Sequence, residues 1–248
     1  MLRSMWYLVN LVVWTVYYGS KAVVAGWLRM PNVEGGVYDE CGRRWSRKVI
    51  KAAAVTLETR GMERIPPGQP VVYAANHQSL FDILALGAVL PGKMRYVAKR
   101  ELSRIPIFGA ALKAAGQIYI DRFNRAKALE SYEKAAAAVR QGMSAVIFVE
   151  GTRSRTGNLL PFKKGAFVFA IASQVPLIPI YCAGTFDVLP KGSLHLRPGP
   201  IRLYFGEPIP TDGLIYDDRD DLMQRVREVI EGFESDWKGT RKAEATTS

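Results

Sequence analysis

Apolar positions fall into two regimes along the 248-residue chain. From Met5 to Leu28 they run almost unbroken. The stretch MWYLVNLVVWTVYYGS carries no charge, and after Lys21 the run resumes as AVVAGWL before Arg29. A membrane-spanning helix needs about 20 apolar residues. Met5–Ser20 alone falls short of that, and the whole stretch suffices only if Lys21 snorkels or faces protein. A helix dipping into one leaflet therefore stands equal to a span. Trp6, Tyr7, Trp14, Tyr17, Tyr18 and Trp27 are residues that settle at headgroup level, and Arg3 and Arg29 bracket the segment. A cleaved signal peptide is a weaker reading, because the basic region is one Arg and no small-residue cleavage site follows. A helix buried all round in a soluble core remains the other alternative.

After a Pro31–Gly36 turn, Tyr38–Arg60 reads as a second helix mixing Arg43, Arg44, Arg47, Lys48 and Lys51 with Trp45, Val49, Ile50, Ala53 and Leu57. That mixture suits a helix lying on an anionic membrane surface, or one that packs on a core with its basic face in water. Beyond Gly61 the apolar runs become short and alternate with helical patterns, as in an α/β fold with a mostly parallel sheet flanked by helices. Strands are predicted at Val71–Ala75, Met94–Ala98, Gln117–Ile120, Ala145–Val149, Leu177–Cys182 and Ile201–Phe205. Helices are predicted at Leu80–Leu90, Ser103–Ala115, Arg125–Gln141, Gly165–Ser173 and Asp218–Trp237. Asn124 and Gly142 are placed to cap the third of these. The chain thus divides into a membrane-associating helical region (1–60), one α/β domain (61–240) and a polar tail (241–248).

Composition narrows the class without choosing a function. With 48% hydrophobic and 23% charged residues, 22 Gly and 14 Pro, the chain is neither disordered nor collagen-like. Its two cysteines, Cys41 and Cys182, lack disulfide or metal-site spacing, which favours a reducing compartment. Lys and Arg total 34 against 23 Asp and Glu, and the net charge of +11 favours a polyanion or an anionic membrane. No nucleic-acid motif is present and the basic residues form no tract, so nucleic acid is not expected as a partner.

Chemistry concentrates at predicted strand ends, where open α/β sheets bind ligands. His77 ends the first strand and Asp82 lies five residues on, in the first turn of the next helix. The chain reverses between them, so Asp82 can hold one ring nitrogen while the other takes a proton from a hydroxyl. A hydrogen-bonded structural histidine would have the same spacing. His195, in a Gly/Pro-flanked basic stretch, reads as a loop residue. After the strand at Ala145–Val149 comes Glu150-Gly151-Thr152-Arg153-Ser154-Arg155, in which two arginines can fork onto a phosphate and Gly151 permits close backbone approach. Glu150 would then orient an arginine or hold the turn. Arg122 ends another predicted strand and could reach the same rim.

These pieces together resemble the glycerolipid acyltransferase family, and within it the 1-acylglycerol-3-phosphate acyltransferases. The N-H-x-S-x-x-D block appears as Asn76, His77, Ser79 and Asp82. A second block runs from Ile105-Pro106-x-Phe108-Gly109 to Ile120-Asp121-Arg122, and a third from Phe148 to Ser154. Phe162-Lys163-Lys164-Gly165 and Val175-Pro176-Leu177-Ile178-Pro179 complete the order. The resemblance implies acyl transfer from a thioester to the sn-2 hydroxyl of lysophosphatidic acid, giving phosphatidic acid. His77 would be the general base and Asp82 its orienter. Arg122, Glu150, Gly151, Thr152 and Arg153 would form the acceptor site, with Lys99 and Lys163 as further phosphate ligands. The expected partners are an anionic phospholipid membrane, lysophosphatidic acid and either acyl-CoA or acyl carrier protein as co-substrate. No metal or other cofactor is expected, and the catalytic domain is placed on the cytoplasmic face of the cell membrane. A different acceptor, such as glycerol-3-phosphate or another lysophospholipid, and an inactive tethering protein are the alternatives.

Overall fold

The computed structural model describes residues 2–120 and 125–246, without the side chains of residues 125–129 and 244–246. Seven strands form one sheet in the order β1-β7-β6-β2-β5-β3-β4. The strands are β1 (Thr56–Arg60), β2 (Val72–Ala75), β3 (Met94–Lys99), β4 (Ile118–Ile120), β5 (Ser144–Phe148), β6 (Leu177–Ala183) and β7 (Pro200–Phe205). All pair in parallel except β6 with β7. The helices are α1 (Leu2–Trp27), α2 (Val37–Ala52), α3 (Leu80–Val89), α4 (Phe108–Ala114), α5 (Arg125–Arg140), α6 (Lys164–Ser173), α7 (Thr185–Val188) and α8 (Arg219–Thr246).

Strand alternation divides the core into two layers. Val72, Ala74, Ala145, Ile147, Val149 and Tyr181 face α5, α6 and α8, where Phe167, Phe169, Leu222, Val226 and Ile230 fill the space. Val71, Tyr73, Ala75, Val146, Phe148, Ile178 and Ile180 face the other way, onto α3, α2 and the start of α1. The central strands β2, β5 and β6 are buried at every residue, which is why they read as continuous apolar runs.

Three expectations need correction. The second helix stops at Ala52 instead of reaching Arg60. Ala54 takes a left-handed conformation (φ 54°), and Thr56–Arg60 then pairs with β7 as an edge strand. Its pattern TLETR has no apolar run, and only Leu57 is partly buried. The charged, β-branched composition fits an edge strand that resists pairing with another chain.

The helix expected over Ser103–Ala115 is split. A 3-10 turn covers Arg100–Arg104 and α4 begins at Phe108, because Pro106 removes an amide donor and forces Ile105 out of the helical region. Gly109 follows at a close approach: a Cβ there would meet the Ser103 carbonyl oxygen at 2.3 Å.

The tail beyond Lys238 continues α8 to Thr246. Lys, Arg, Ala and Glu there are good helix formers, and polarity alone did not signal the end of the helix. The cap expected at Asn124 lies outside the described residues, whereas Gly142 ends α5 with φ 102°.

The α1 helix packs along its length on the domain. Tyr7 stacks on Phe81 of α3 with ring centroids 5.5 Å apart, Trp45 Nε1 of α2 donates to Thr15 Oγ1 at 3.0 Å, and Ala22 and Ala25 are buried with Tyr38 of α2 and against α4. Its opposite face leaves Met5, Trp6, Val9, Val12, Val13, Val16, Tyr17 and Val24 exposed.

A buried ion pair joins α2 to β3. Arg95 Nη1 lies 2.7 Å from Asp39 Oδ1, each side chain only 3% exposed. Arg95 Nη2 donates to Asn32 Oδ1 at 2.5 Å, and Asp39 Oδ2 accepts from Gly35 N at 3.0 Å. Removing one partner strands the other charge in a low dielectric. Asp39→Ala is therefore expected to cost about 3–5 kcal/mol in urea unfolding; a loss under about 1 kcal/mol would show that the guanidinium is already hydrated.

Candidate active site

The site assembles where β2 and β5 end side by side. Ala75 is in register with Phe148, and Val149 N donates to Ala75 O at 2.9 Å. The turns that follow the two strands, Asn76–Ser79 and Glu150–Ser154, therefore touch. Asn76 fixes its own turn to β6 by accepting from Cys182 N at 2.6 Å and donating to Cys182 O at 3.4 Å.

Ser79 caps α3, its Oγ accepting from Phe81 N at 3.2 Å while donating to Leu189 O at 2.7 Å. Asp82 completes a capping box as the third helical residue. It is fully buried, and its Oδ2 accepts from Gln78 N at 2.7 Å and Ser79 N at 2.8 Å. The same oxygen lies 2.7 Å from His77 Nδ1. A carboxylate only accepts, so Nδ1 carries a proton, and in the neutral imidazole Nε2 keeps its lone pair. The imidazole stacks on Phe148 with centroids 3.8 Å apart and planes 13° from parallel. Packing and hydrogen bonding thus fix both ring plane and tautomer, leaving the side chain 14% exposed.

Glu150 is fully buried too. Its Oε1 accepts from His77 N at 2.7 Å and its Oε2 from Leu160 N at 2.9 Å. Both oxygens are thereby committed to backbone, which is the turn-holding role of the two that the sequence left open. Burial pushes its carboxyl up to about 7, helped by the Asp82 and Glu234 charges and opposed by the two backbone donors. Ser154 N closes the junction by donating to His77 O at 2.8 Å.

The rim is cationic. Lys191, in the loop after α7, donates from Nζ to Thr152 Oγ1 and to Arg153 O, both at 3.0 Å. Partial burial, then the charges of Arg155, Arg153 and Lys99, lower its pKa. Lys191 thus sits close enough to the other three cations to be repelled by them. Among the described residues none of them pairs with a carboxylate, and such an arrangement is relieved by a bound anion.

Of the residues singled out from sequence, His77, Asp82, Glu150, Gly151, Thr152 and Arg153 come together, and Lys99 joins the rim. Lys163 is exposed at the start of α6, its backbone N donating to Val149 O at 2.7 Å, and its side chain joins none of these contacts. Arg122 lies outside the described residues. Sequence reasoning missed Lys191, which no motif contains. Phe148, which opens the third motif block, stacks on His77 and lies 6.3 Å from Tyr96, and Tyr96 was visible only as a strand residue. Tyr96 also lines an apolar cavity of about 130 Å³ among α1, α2, α3, α4 and β3, together with Tyr18, Ile83, Phe108 and Ala111.

Comparisons with known proteins identify the family and the fold. The family model described as Acyltransferase matches residues 56–183. The human 1-acyl-sn-glycerol-3-phosphate acyltransferase alpha is 39% identical over 174 residues, which cover 70% of this chain and 62% of that protein. A 1-acyl-sn-glycerol-3-phosphate acyltransferase of Cocos nucifera is 41% identical over 142 residues, covering 57% of this chain and 46% of the relative. The chain thus spans about three fifths of the human relative and less of the plant one. The crystal structure of the 1-acyl-sn-glycerophosphate (LPA) acyltransferase PlsC from Thermotoga maritima superposes with a TM-score of 0.81 at 25% identity, covering 96% of this chain and 95% of that one.

The double commitment of Glu150 yields a prediction. In Glu150→Gln one amide oxygen must serve two backbone donors, so one N–H is left buried and unpaired. Stability is expected to fall by about 1–3 kcal/mol in thermal unfolding. Turnover should fall with it through displacement of His77, while the acceptor KM stays within about twofold. A raised acceptor KM at unchanged stability would place Glu150 against the acceptor instead.

Proposed function

The chain belongs to the acyltransferase family, and from that premise we propose that it transfers an acyl group from a thioester to the sn-2 hydroxyl of lysophosphatidic acid, forming phosphatidic acid. The observation that carries the reading is the His77–Asp82 pair, with Nδ1 committed to the carboxylate at 2.7 Å and Nε2 without a hydrogen-bond partner among the described residues, beside Lys191, Arg153, Arg155 and Lys99, none of which pairs with a carboxylate among the described residues.

In this mechanism the acceptor hydroxyl approaches Nε2 of His77 and attacks the thioester carbonyl. The hydroxyl proton passes to Nε2 as the new C–O bond forms, and Asp82 stabilises the resulting imidazolium. Collapse of the tetrahedral intermediate breaks the C–S bond, and the imidazolium returns its proton to the leaving thiolate. The hydroxyl is itself the nucleophile, so no acyl-enzyme forms. Ser79, with its Oγ spent on Phe81 N and Leu189 O, is left a structural part.

The glycerol phosphate would bind at the cationic rim. Arg153 offers a planar fork of donors and Lys99 a point charge, with Arg122, Thr152 and Gly151 assigned to the same acceptor site by the family resemblance. Lys163 is the remaining candidate, for this phosphate or for those of the donor. The mostly apolar cavity whose Tyr96 wall adjoins Phe148 and hence His77 would receive only a part of an acyl chain. The donor is acyl-CoA or acyl carrier protein.

We place the enzyme on the anionic cytoplasmic face of the cell membrane, with the exposed face of α1 in the lipid. A helix held to the domain along its other side, with a continuous apolar face outward, fits entry into one leaflet better than a span. Two buried free thiols and a net charge of +11 suit that location.

The first test is thioester consumption by purified protein given long-chain acyl-CoA and lysophosphatidic acid. His77→Ala is expected to lower turnover by about 10²–10⁴-fold or more while the protein stays folded; phosphatidic acid formed at the wild-type rate would reject the base assignment. Arg153→Ala should raise the KM for lysophosphatidic acid by about tenfold, the loss of one charge-assisted contact. An unchanged KM would remove Arg153 from the phosphate site.

A further inference from the structure

The loop between α7 and β7 ends in a feature that acyl transfer does not explain. Its sequence is Lys191-Gly-Ser-Leu-His-Leu-Arg-Pro-Gly. The loop is well ordered: Ser193 N donates to Pro190 O at 3.1 Å, Arg197 N to Val188 O at 2.9 Å, and His195 N to Ser193 Oγ at 2.9 Å. Leu196 is 4% exposed in the core, whereas Leu194, two residues away, is 70% exposed. A lone exposed leucine is ordinary, but this one belongs to a larger surface.

Leu196 N donates to Ser4 Oγ at 3.0 Å, which ties the loop to α1. A groove of about 720 Å³ runs between them, walled by Leu2, Arg3 and Ser4 on one side and His195, Leu196 and Arg197 on the other. Leu2, 79% exposed, starts the outward apolar face of α1 that continues through Met5, Trp6 and Val9. The loop therefore extends that face sideways, carrying exposed Leu194 in a segment that also holds His195 and Arg197 and is tied to the helix that bears Arg3. An apolar tip in a cationic segment matches a leaflet whose acyl region lies under anionic headgroups.

We propose that the loop 191–199 is a second membrane-contact surface, inserting Leu194 into the interface of an anionic leaflet while Arg3 and Arg197 meet its headgroups. The proposal rests on the reading that the outward face of α1 lies in lipid. It also gives the contact a consequence for the site. Lys191 holds Thr152 Oγ1 and the Arg153 carbonyl, so a loop seated at the headgroups sets the cationic rim at the depth where a lysophospholipid phosphate lies. Two contacts, a helix and a loop, also fix the tilt of the domain, which one helix alone leaves free to roll.

The test uses full-length protein in vesicles with an environment-sensitive dye on a single added thiol. The native cysteines are buried, and mock-labelled wild type gives the background. Dye is placed at Leu194→Cys, at Val12→Cys on the outward face of α1, and at Arg225→Cys on α8, which packs on the opposite face of the sheet. In vesicles of phosphatidylglycerol and phosphatidylcholine with brominated acyl chains, the dyes at 194 and 12 are expected to shift to the blue and be quenched severalfold, and the dye at 225 to stay aqueous. In phosphatidylcholine alone the quenching at 194 should fall while that at 12 persists. Quenching at 12 with none at 194 overturns the proposal and leaves the α1 reading standing. Absence of quenching at 12 removes that reading and the proposal with it, and equal quenching at 194 in both vesicles overturns the assignment to anionic lipid.

Discussion

A single oxygen holds the site together. Asp82 Oδ2 accepts from His77 Nδ1, Gln78 N and Ser79 N, so the charge that orients the imidazole also closes the first turn of α3. A buried carboxylate is costly unless its lone pairs are used. Here the N-terminus of a helix supplies donors to Oδ2 and a favourable dipole, while Oδ1 is buried with no partner among the described residues. The chain cannot lose this carboxylate without also losing the start of α3, and α3 carries Phe81, Leu84 and Leu86 in the core. Local folding and the positioning of His77 are therefore one interaction.

Glu150 repeats the device from the neighbouring strand. Its two oxygens take the backbone N–H of His77 and of Leu160. His77 is thus held through its ring by one buried carboxylate and through its main chain by another, with Phe148 behind the ring. The cations stand outside this frame, on turns and loops at the surface, where they remain free to meet an anion. Buried carboxyl groups fix the geometry inside, and the cations stand at the rim. That separation explains why Arg153 and Glu150, three residues apart in one motif, do different work.

Much of this was legible in the sequence because burial and local chirality are local properties. The central strands read as apolar runs, and the His77–Asp82 spacing implied contact since a strand-to-helix reversal brings such residues together. Edge strand β1 escaped because its partner β7 is distant in sequence, and TLETR has no periodic signal strong enough to compete with a helix. Pro106 splits a helix that apolar content alone would have joined. Lys191 could not be found, since it reaches the Thr152–Arg153 turn across the tertiary fold and carries no motif of its own. What sequence spacing misses is contact made by topology between elements with weak patterns.

The apolar character of α1 was plain, but its partition was not. Only the fold shows which residues face α2, α3 and α4 and which face outward. Tyr7 stacked on Phe81 ties α1 to the same first turn of α3 that Asp82 closes. A force or tilt applied to α1 by a lipid surface therefore acts on the helix that positions His77, through one aromatic contact. Helix α1 and the helix whose first turn orients His77 share a core, so the imidazole keeps a fixed position relative to the exposed apolar face of α1.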